Sequence, residues 1–215
     1  QKGQEIFSLE SRRRLREFDL VGISLAYELC YTNVLGILAM AGMPLEAAER
    51  DSSFPLVIGG GPCAINPEPM AAFFDAFVIG EGEDAVREIA DCYAGLKNGY
   101  KAGNLSKRDL LMRLAGISGV YVPSLYDVSY TPSGAVEKFT PCADGVPATI
   151  AKRFVQDLER SFFPEAWLVP YISIVHDRVT LEIMRGCPNR CRFCQARSLY
   201  YPLRMRSPQA LIGLA

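Results

Sequence analysis

The chain has 215 residues, 49% of them hydrophobic and 22% charged, a composition that excludes disorder and collagen-like repetition. Its longest apolar run, Val34 to Met43, falls well short of the ~18 residues a membrane-spanning helix needs, and Gln1-Lys2-Gly3-Gln4-Glu5 carries no apolar signal segment, so no membrane partner and a cytoplasmic location are expected. The net charge of -1 hides a split: residues 1–177 hold 16 Lys and Arg against 23 Asp and Glu, whereas residues 178–215 hold seven Arg against Glu182 alone.

Hydrophobic periodicity predicts strands alternating with helices. Strands are expected at Ile6–Leu9 and Asp19–Leu25, helices over Tyr31–Ala41 and Pro44–Arg50, and then a strand at Pro55–Ile58 running into Gly59-Gly60-Gly61. A short helix follows at Pro67–Phe74, with Pro near its start, and a buried strand at Ala76–Ile79. Glu83–Leu96 has the pattern of an amphipathic helix with Val86, Ile89, Ala90 and Tyr93 on one face. This alternation predicts an α/β fold around a Rossmann-like, doubly wound parallel sheet. Such sheets bind ligands at the carboxyl ends of their strands.

Past residue 97 the pattern changes. Asn98–Lys107 is polar and turn-rich, Arg108–Ala115 helical, and Gly119–Tyr130 with Ala135–Phe139 forms a hairpin around Thr131-Pro132-Ser133-Gly134. Lys152–Leu158 and Pro164–Pro170 lack periodicity, Val179–Met184 is a new apolar strand, and Pro208–Ala215 begins a helix. Three regions are expected: an α/β domain over 1–97, a connector over 98–170, and the start of a further domain over 171–215. Both ends read as the interior of a longer chain, so a fragment is expected.

Seven Cys scattered through the chain do not suggest a disulfide framework. Cys30, Cys92 and Cys142 are expected as small buried hydrophobes. Cys187-Pro188-Asn189-Arg190-Cys191-Arg192-Phe193-Cys194 is different, because three thiols within eight residues on one loop can converge on a metal ion or an iron-sulfur cluster. A structural zinc site wants a fourth ligand, and the only His, His176, precedes Cys187 by eleven residues. A ferredoxin-type cluster also wants four thiolates. A cubane held by three leaves one iron open to a substrate or cofactor.

The run VTLEIMRG followed by CPNRCRFC resembles the signature of the radical S-adenosylmethionine (radical SAM) superfamily. The resemblance implies that Cys187, Cys191 and Cys194 hold a 4Fe-4S cluster whose fourth iron chelates S-adenosylmethionine, with the backbone of Phe193 near the adenine. It also implies reductive cleavage of that cofactor, fed by an external flavodoxin- or ferredoxin-type donor, to a 5′-deoxyadenosyl radical that abstracts hydrogen from a substrate. Upstream, PLVIGGGPCAINPE (55–68) and AFVIGEGED (76–84) are similar to the cobalamin-binding-like domain that precedes the radical domain in one branch of the superfamily, and the likeness to an uncharacterised family of that order spans nearly the whole chain. Gly59, Gly60, Gly61, Gly80 and Gly82 then mark a candidate cobalamin-like site; with no His in residues 1–175, a histidine-ligated mode is excluded and binding without a protein cobalt ligand is left open. The 215 residues alone are expected not to turn over, because the later barrel strands are absent from them.

Two other classes stay open: an RNA-modifying, methylthiotransferase-like enzyme with nucleic acid as partner, and a non-enzymatic iron-sulfur or zinc binding module. Arg12-Arg13-Arg14 is expected to be a solvated turn. Tyr200-Tyr201 with Arg197, Arg204 and Arg206 either stacks RNA or packs as the exit of the cysteine loop. Arg185, Arg190, Arg192 and Arg197 bracket the cysteines and are expected to favour a reduced, more negative cluster.

Overall fold

The computed structural model describes residues 6–164, 171–173, 175, 178, 180–189 and 191–215. The chain divides into two compact units, Gln1–Arg153 and Phe154–Ala215. In the first, β1 (Leu20–Ser24), β2 (Leu56–Gly60), β3 (Ala76–Val78) and β4 (Val120–Tyr121) form one sheet in the order β1-β2-β3-β4. The β1–β2 and β2–β3 pairs are parallel, and β4 closes the other edge antiparallel, with Phe77 opposite Tyr121. This is the expected α/β class. The strand order is sequential, so these four strands form no reversal of the kind that defines a doubly wound sheet.

Burial explains the strand assignments. Leu56, Val57 and Ile58 of the central β2 are all buried, the continuous apolar run of a strand covered on both faces, whereas β1 buries only Val21 and lies at the edge. The helices are α1 (Tyr31–Met40), α2 (Glu83–Lys101) and α3 (Lys107–Ala115). They contribute Val34 and Leu38, Ala85, Ile89, Tyr93 and Tyr100, and Leu110, Leu111 and Leu114 to one hydrophobic core. Ser106 starts α3 by accepting from the Asp109 N–H at 3.1 Å, satisfying one of the donors that a helix start leaves open.

Several local expectations fail for identifiable reasons. Pro44–Arg50 forms only a single turn over Ala47–Glu49, because the Arg50 guanidinium occupies the Pro44 and Leu45 carbonyls, at 3.0 and 2.8 Å, that a helix would have used. Pro67–Phe74 is a 3-10 helix over Glu68–Phe73, with Pro69 in its first turn, where no N–H is needed. Ile6–Leu9 contributes only the Phe7 to Arg14 bridge beside a turn that contains the expected Arg12-Arg13-Arg14. On α2 the buried face is Ala85, Ile89, Tyr93 and Tyr100; Val86 and Ala90 face solvent, one position round from the expected stripe. The hairpin forms from β5 (Tyr126–Tyr130) and β6 (Val136–Pro141) around the expected turn, while Val120–Tyr121, read as part of it, belongs to the main sheet.

A buried ion cluster ties the amino end of β3 to its surroundings. Asp75 and Arg50 are both buried; Asp75 Oδ2 accepts from Arg50 Nη2 at 3.0 Å and from the Val57 N–H at 2.7 Å, and Lys107 Nζ lies 2.6 Å from Oδ1. Arg50 also donates to the Phe73 carbonyl, and Lys107 to those of Ala47 and Arg50. The buried Arg50 and the half-buried Lys107 thus both meet the Asp75 carboxylate and backbone carbonyls.

In the second unit, β7 (Met184–Arg185) pairs antiparallel with β8 (Arg204–Met205), with α4 (Ala196–Tyr200) between them and α5 (Pro208–Leu214) after them. Most of the expected strand Val179–Met184 is not extended ladder: of its described residues only Met184 pairs, and Val179, like His176 and Trp167, lies outside the described residues. Among the described residues no helix is long and apolar enough to cross a membrane.

Candidate metal centre

The cysteine loop leaves β7 through Gly186, and here the backbone geometry admits only glycine. Its φ is +105°, and a Cβ added there would stand 2.6 Å from the Pro202 oxygen and 2.8 Å from the Tyr200 oxygen. The chain therefore passes hard against residues 200–203 before delivering Cys187. Cys194 donates its N–H to the Cys191 carbonyl at 3.2 Å, which closes a turn carrying two of the three thiols. After it, α4 runs to Tyr200 and ends where the Tyr201 N–H returns to the Arg197 carbonyl at 3.0 Å.

Arginines hold this frame. Arg204 donates to the carbonyls of Pro202, Val155 and Tyr200, at 2.9, 2.6 and 3.2 Å, fastening the far side of the loop. Buried Arg206 donates to Ser161 Oγ at 2.9 Å. Of the arginines expected around the thiols, Arg185 is taken by the Glu182 carboxylate in a two-pronged pair at 2.9 and 3.0 Å. Arg197 lies over the Tyr201 ring at 5.9 Å, and Tyr201 is exposed. Arg192 is exposed, and Arg190 lies outside the described residues.

The donor chemistry suits a thiophilic centre: Cys187 is half-buried, Cys191 and Cys194 are exposed, none is in a disulfide, and no Asp or Glu occurs from residue 183 onward. The geometry is not a preformed cage, since among the described residues no three Cys, His, Asp or Glu side chains stand together as metal ligands. Phe193 projects from the same turn almost fully into solvent, 92% exposed.

The glycines of the first unit stand at strand ends, and the chain itself fills the close approaches that three of them allow. A Cβ on Gly59 would meet the Phe77 ring at 2.6 Å, and one on Gly61 the Leu25 oxygen at 3.1 Å. At Gly80, with φ +110°, it would fall 2.0 Å from the Arg153 oxygen, where Ile79, Glu81 and Arg153 exchange backbone hydrogen bonds of 2.9 and 3.0 Å. Gly60 has open space beside it and Gly82 only the Val86 methyl at 3.6 Å. Of the other cysteines, Cys30 and Cys92 are half-buried but Cys142, just past β6, is exposed, contrary to expectation. Burial and the Glu28 carboxylate push the Cys63 thiol up, which keeps it a protonated, unreactive side chain.

A protein of Methanocaldococcus jannaschii described as "Uncharacterized protein MJ0966" is 28% identical over 216 residues, covering 98% of this chain and 37% of that protein. The chain thus spans little more than a third of the length of the curated relative it matches. Residues 1–123, the sheet with its helices up to β4, match the family described as "Radical SAM proteins, N-terminal". With more than half of its length so matched, the chain belongs to the family of radical SAM proteins, N-terminal.

Proposed function

We propose that the whole protein is a radical SAM enzyme and that Cys187, Cys191 and Cys194 of this chain hold its 4Fe-4S cluster. The observation that carries the reading is the loop itself: three thiols on one loop, started at Gly186 by a positive φ that only glycine accommodates there, in a stretch without carboxylates. When bound, the cluster with S-adenosylmethionine supplies the reductive cleavage of a carbon–sulfur bond, the electron coming from an external carrier. The chain's residues bind and orient. Cys187, Cys191 and Cys194 would hold the cluster as thiolates, and Arg204 and Arg206 anchor the frame from which the loop projects. Phe193, beside the last thiol, would offer its backbone to the adenine.

The first unit is read as the cobalamin-binding-like domain of this protein class, which three parallel strands, two of them with glycines at their carboxyl ends, support. Because the chain fills the close approaches at Gly59, Gly61 and Gly80, its proposed role is that of scaffold rather than cobalamin carrier. The substrate is not named by any of these residues.

Anaerobic reconstitution with iron and sulfide tests the reading. A brown protein with about four irons per chain is expected, and Cys191→Ser should lose most of the iron while far-UV circular dichroism stays unchanged. A colourless protein holding one zinc per chain, or iron loading indifferent to Cys191→Ser, would sink it.

A further inference from the structure

A chain of aromatic rings runs through the first unit toward its surface. Phe74 and Phe77 have centroids 4.8 Å apart, Phe77 lies 6.3 Å from Tyr121, and Tyr121 lies 6.0 Å from Phe139. The outer pair, Tyr121 and Phe139, walls a cleft of about 250 Å³ completed chiefly by Ile65, Pro67, Ile79 and Ile150. Two of these segments follow the carboxyl ends of β2 and β3, the edge at which α/β sheets take ligands. The volume lies below the ~300–1,000 Å³ of drug-sized sites, so the occupant is small.

One charged residue, Glu68, lines this cleft. Its Oε1 accepts from the Tyr121 hydroxyl at 2.5 Å, and Tyr121 is 3% exposed. Burial, together with this hydrogen bond to Glu68, pushes the phenol far above its ordinary range, so it remains the donor and Glu68 the acceptor. A phenol has a single proton to give, and among the described residues Glu68 has no other hydrogen-bond partner. The Glu68 carboxylate is therefore held by one phenol beside an aromatic ring and aliphatic walls, with no Lys or Arg among the lining residues.

Each class of ligand meets this environment differently. An anion is repelled. A wholly apolar molecule would strip water from the carboxylate without replacing its hydrogen bonds. A divalent metal ion wants several oxygen ligands, and the cleft offers one carboxylate. An organic cation is the class these residues suit, its charge met by Glu68, its N–H or N–CH groups by the partly exposed Phe139 ring, whose other neighbour is Tyr126 at 4.5 Å, and its carbon body by Ile65, Ile79 and Ile150. We propose that this cleft is a binding site for a small organic ammonium ion, with Glu68 as its counter-ion, held by the Tyr121 hydroxyl, and Phe139 as its aromatic wall.

The test is a titration of the isotope-labelled 215-residue chain with three isosteric probes, butylammonium, 1-butanol and butyrate, followed by amide and methyl chemical shifts. Butylammonium should produce saturable shifts at Ile79, Tyr121, Phe139 and Ile150, with butanol at least about tenfold weaker and butyrate silent. Glu68→Gln keeps an acceptor for Tyr121 but removes the charge, and should weaken butylammonium by about tenfold. Phe139→Leu keeps an apolar wall and should weaken it by about threefold; if Glu68→Gln fails to fold, this variant and the probe series decide. Equal affinity for butanol, an affinity untouched by both variants, or shifts elsewhere or absent up to about 50 mM, beyond which so few atoms cannot be called specific, would overturn the assignment.

Discussion

The two units of the chain are ordered by different forces. In the first, Leu38, Val57, Phe77, Leu110, Leu114 and Leu125 are fully enclosed in one core, and each such side chain contributes about 1.5–3 kcal/mol of burial. In the second, the described buried residues are Val155, Leu158 and Arg206, while Phe162, Phe193 and Ile212 stand in solvent. Its loop frame is held instead by arginine side chains on backbone carbonyls, contacts worth roughly 1–3 kcal/mol each at best. The difference teaches where a ligand matters. A core closes whether or not anything binds, whereas the proposed role of the thiols would let a bound metal centre add order to a loop that the chain fastens only at its ends.

Removing the buried carboxylate of the first unit is the harshest way to break that contrast. Asp75→Ala leaves Arg50 buried without its anion and the Val57 N–H without an acceptor, so a loss of about 3–5 kcal/mol is expected in urea unfolding. A midpoint unchanged from wild type would mean that the core alone holds this end of the sheet. Next comes Gly80→Ala, which places a methyl on the Arg153 backbone at a positive φ; a loss of about 2 kcal/mol is expected, accompanied by faster amide exchange at Glu81 and Arg153. Exchange unchanged at those two amides would show that the closing bridge is dispensable.

The mildest probe is alkaline titration. Burial, reinforced by Asp19 for Tyr93 and by Asp75 for Tyr100, pushes both phenols from 10.0 up to about 12. Between these values the unfolded chain has released the two protons and the folded chain still holds them, so stability is whole below about pH 10 and falls as pH rises toward 12. Tyrosinate absorbance should show Tyr93 and Tyr100 among the late-titrating groups, and Tyr100→Phe should remove one of them. At neutral pH the same variant deletes a buried hydroxyl that has no hydrogen-bond partner among the described residues, so its cost should be under about 1 kcal/mol. A normal titration near pH 10 in the folded state would contradict the burial of both rings.

What was legible in the sequence follows from the range of the interactions concerned. The apolar runs at Leu20–Ser24, Leu56–Gly60 and Ala76–Val78, the turn at Thr131–Gly134 and the start of α3 rest on neighbours within a few residues, and each appears where its local pattern pointed. The run 44–50 misled because the group that uses up its carbonyls, Arg50, is anchored to Asp75, 25 positions further on. The face of α2 misled by one position because Val86 and Ala85 are equally apolar to the eye, and only packing against the sheet selects Ala85. Glu68 carried no motif signal at all; its meaning depends on Tyr121, 53 positions away.

The sequence by itself determined the alternation of strand and helix, the reversal of charge near residue 178 and the spacing of Cys187, Cys191 and Cys194, since all three are properties of adjacent or nearly adjacent residues. The tertiary structure alone decided that β4 joins the sheet antiparallel, that Gly59, Gly61 and Gly80 make room for the chain's own atoms, and that a carboxylate and two rings from three separate segments share one cleft. These depend on which distant surfaces are buried together, and burial is non-directional: it can be satisfied by many pairings of apolar residues, among which only close packing in three dimensions selects one.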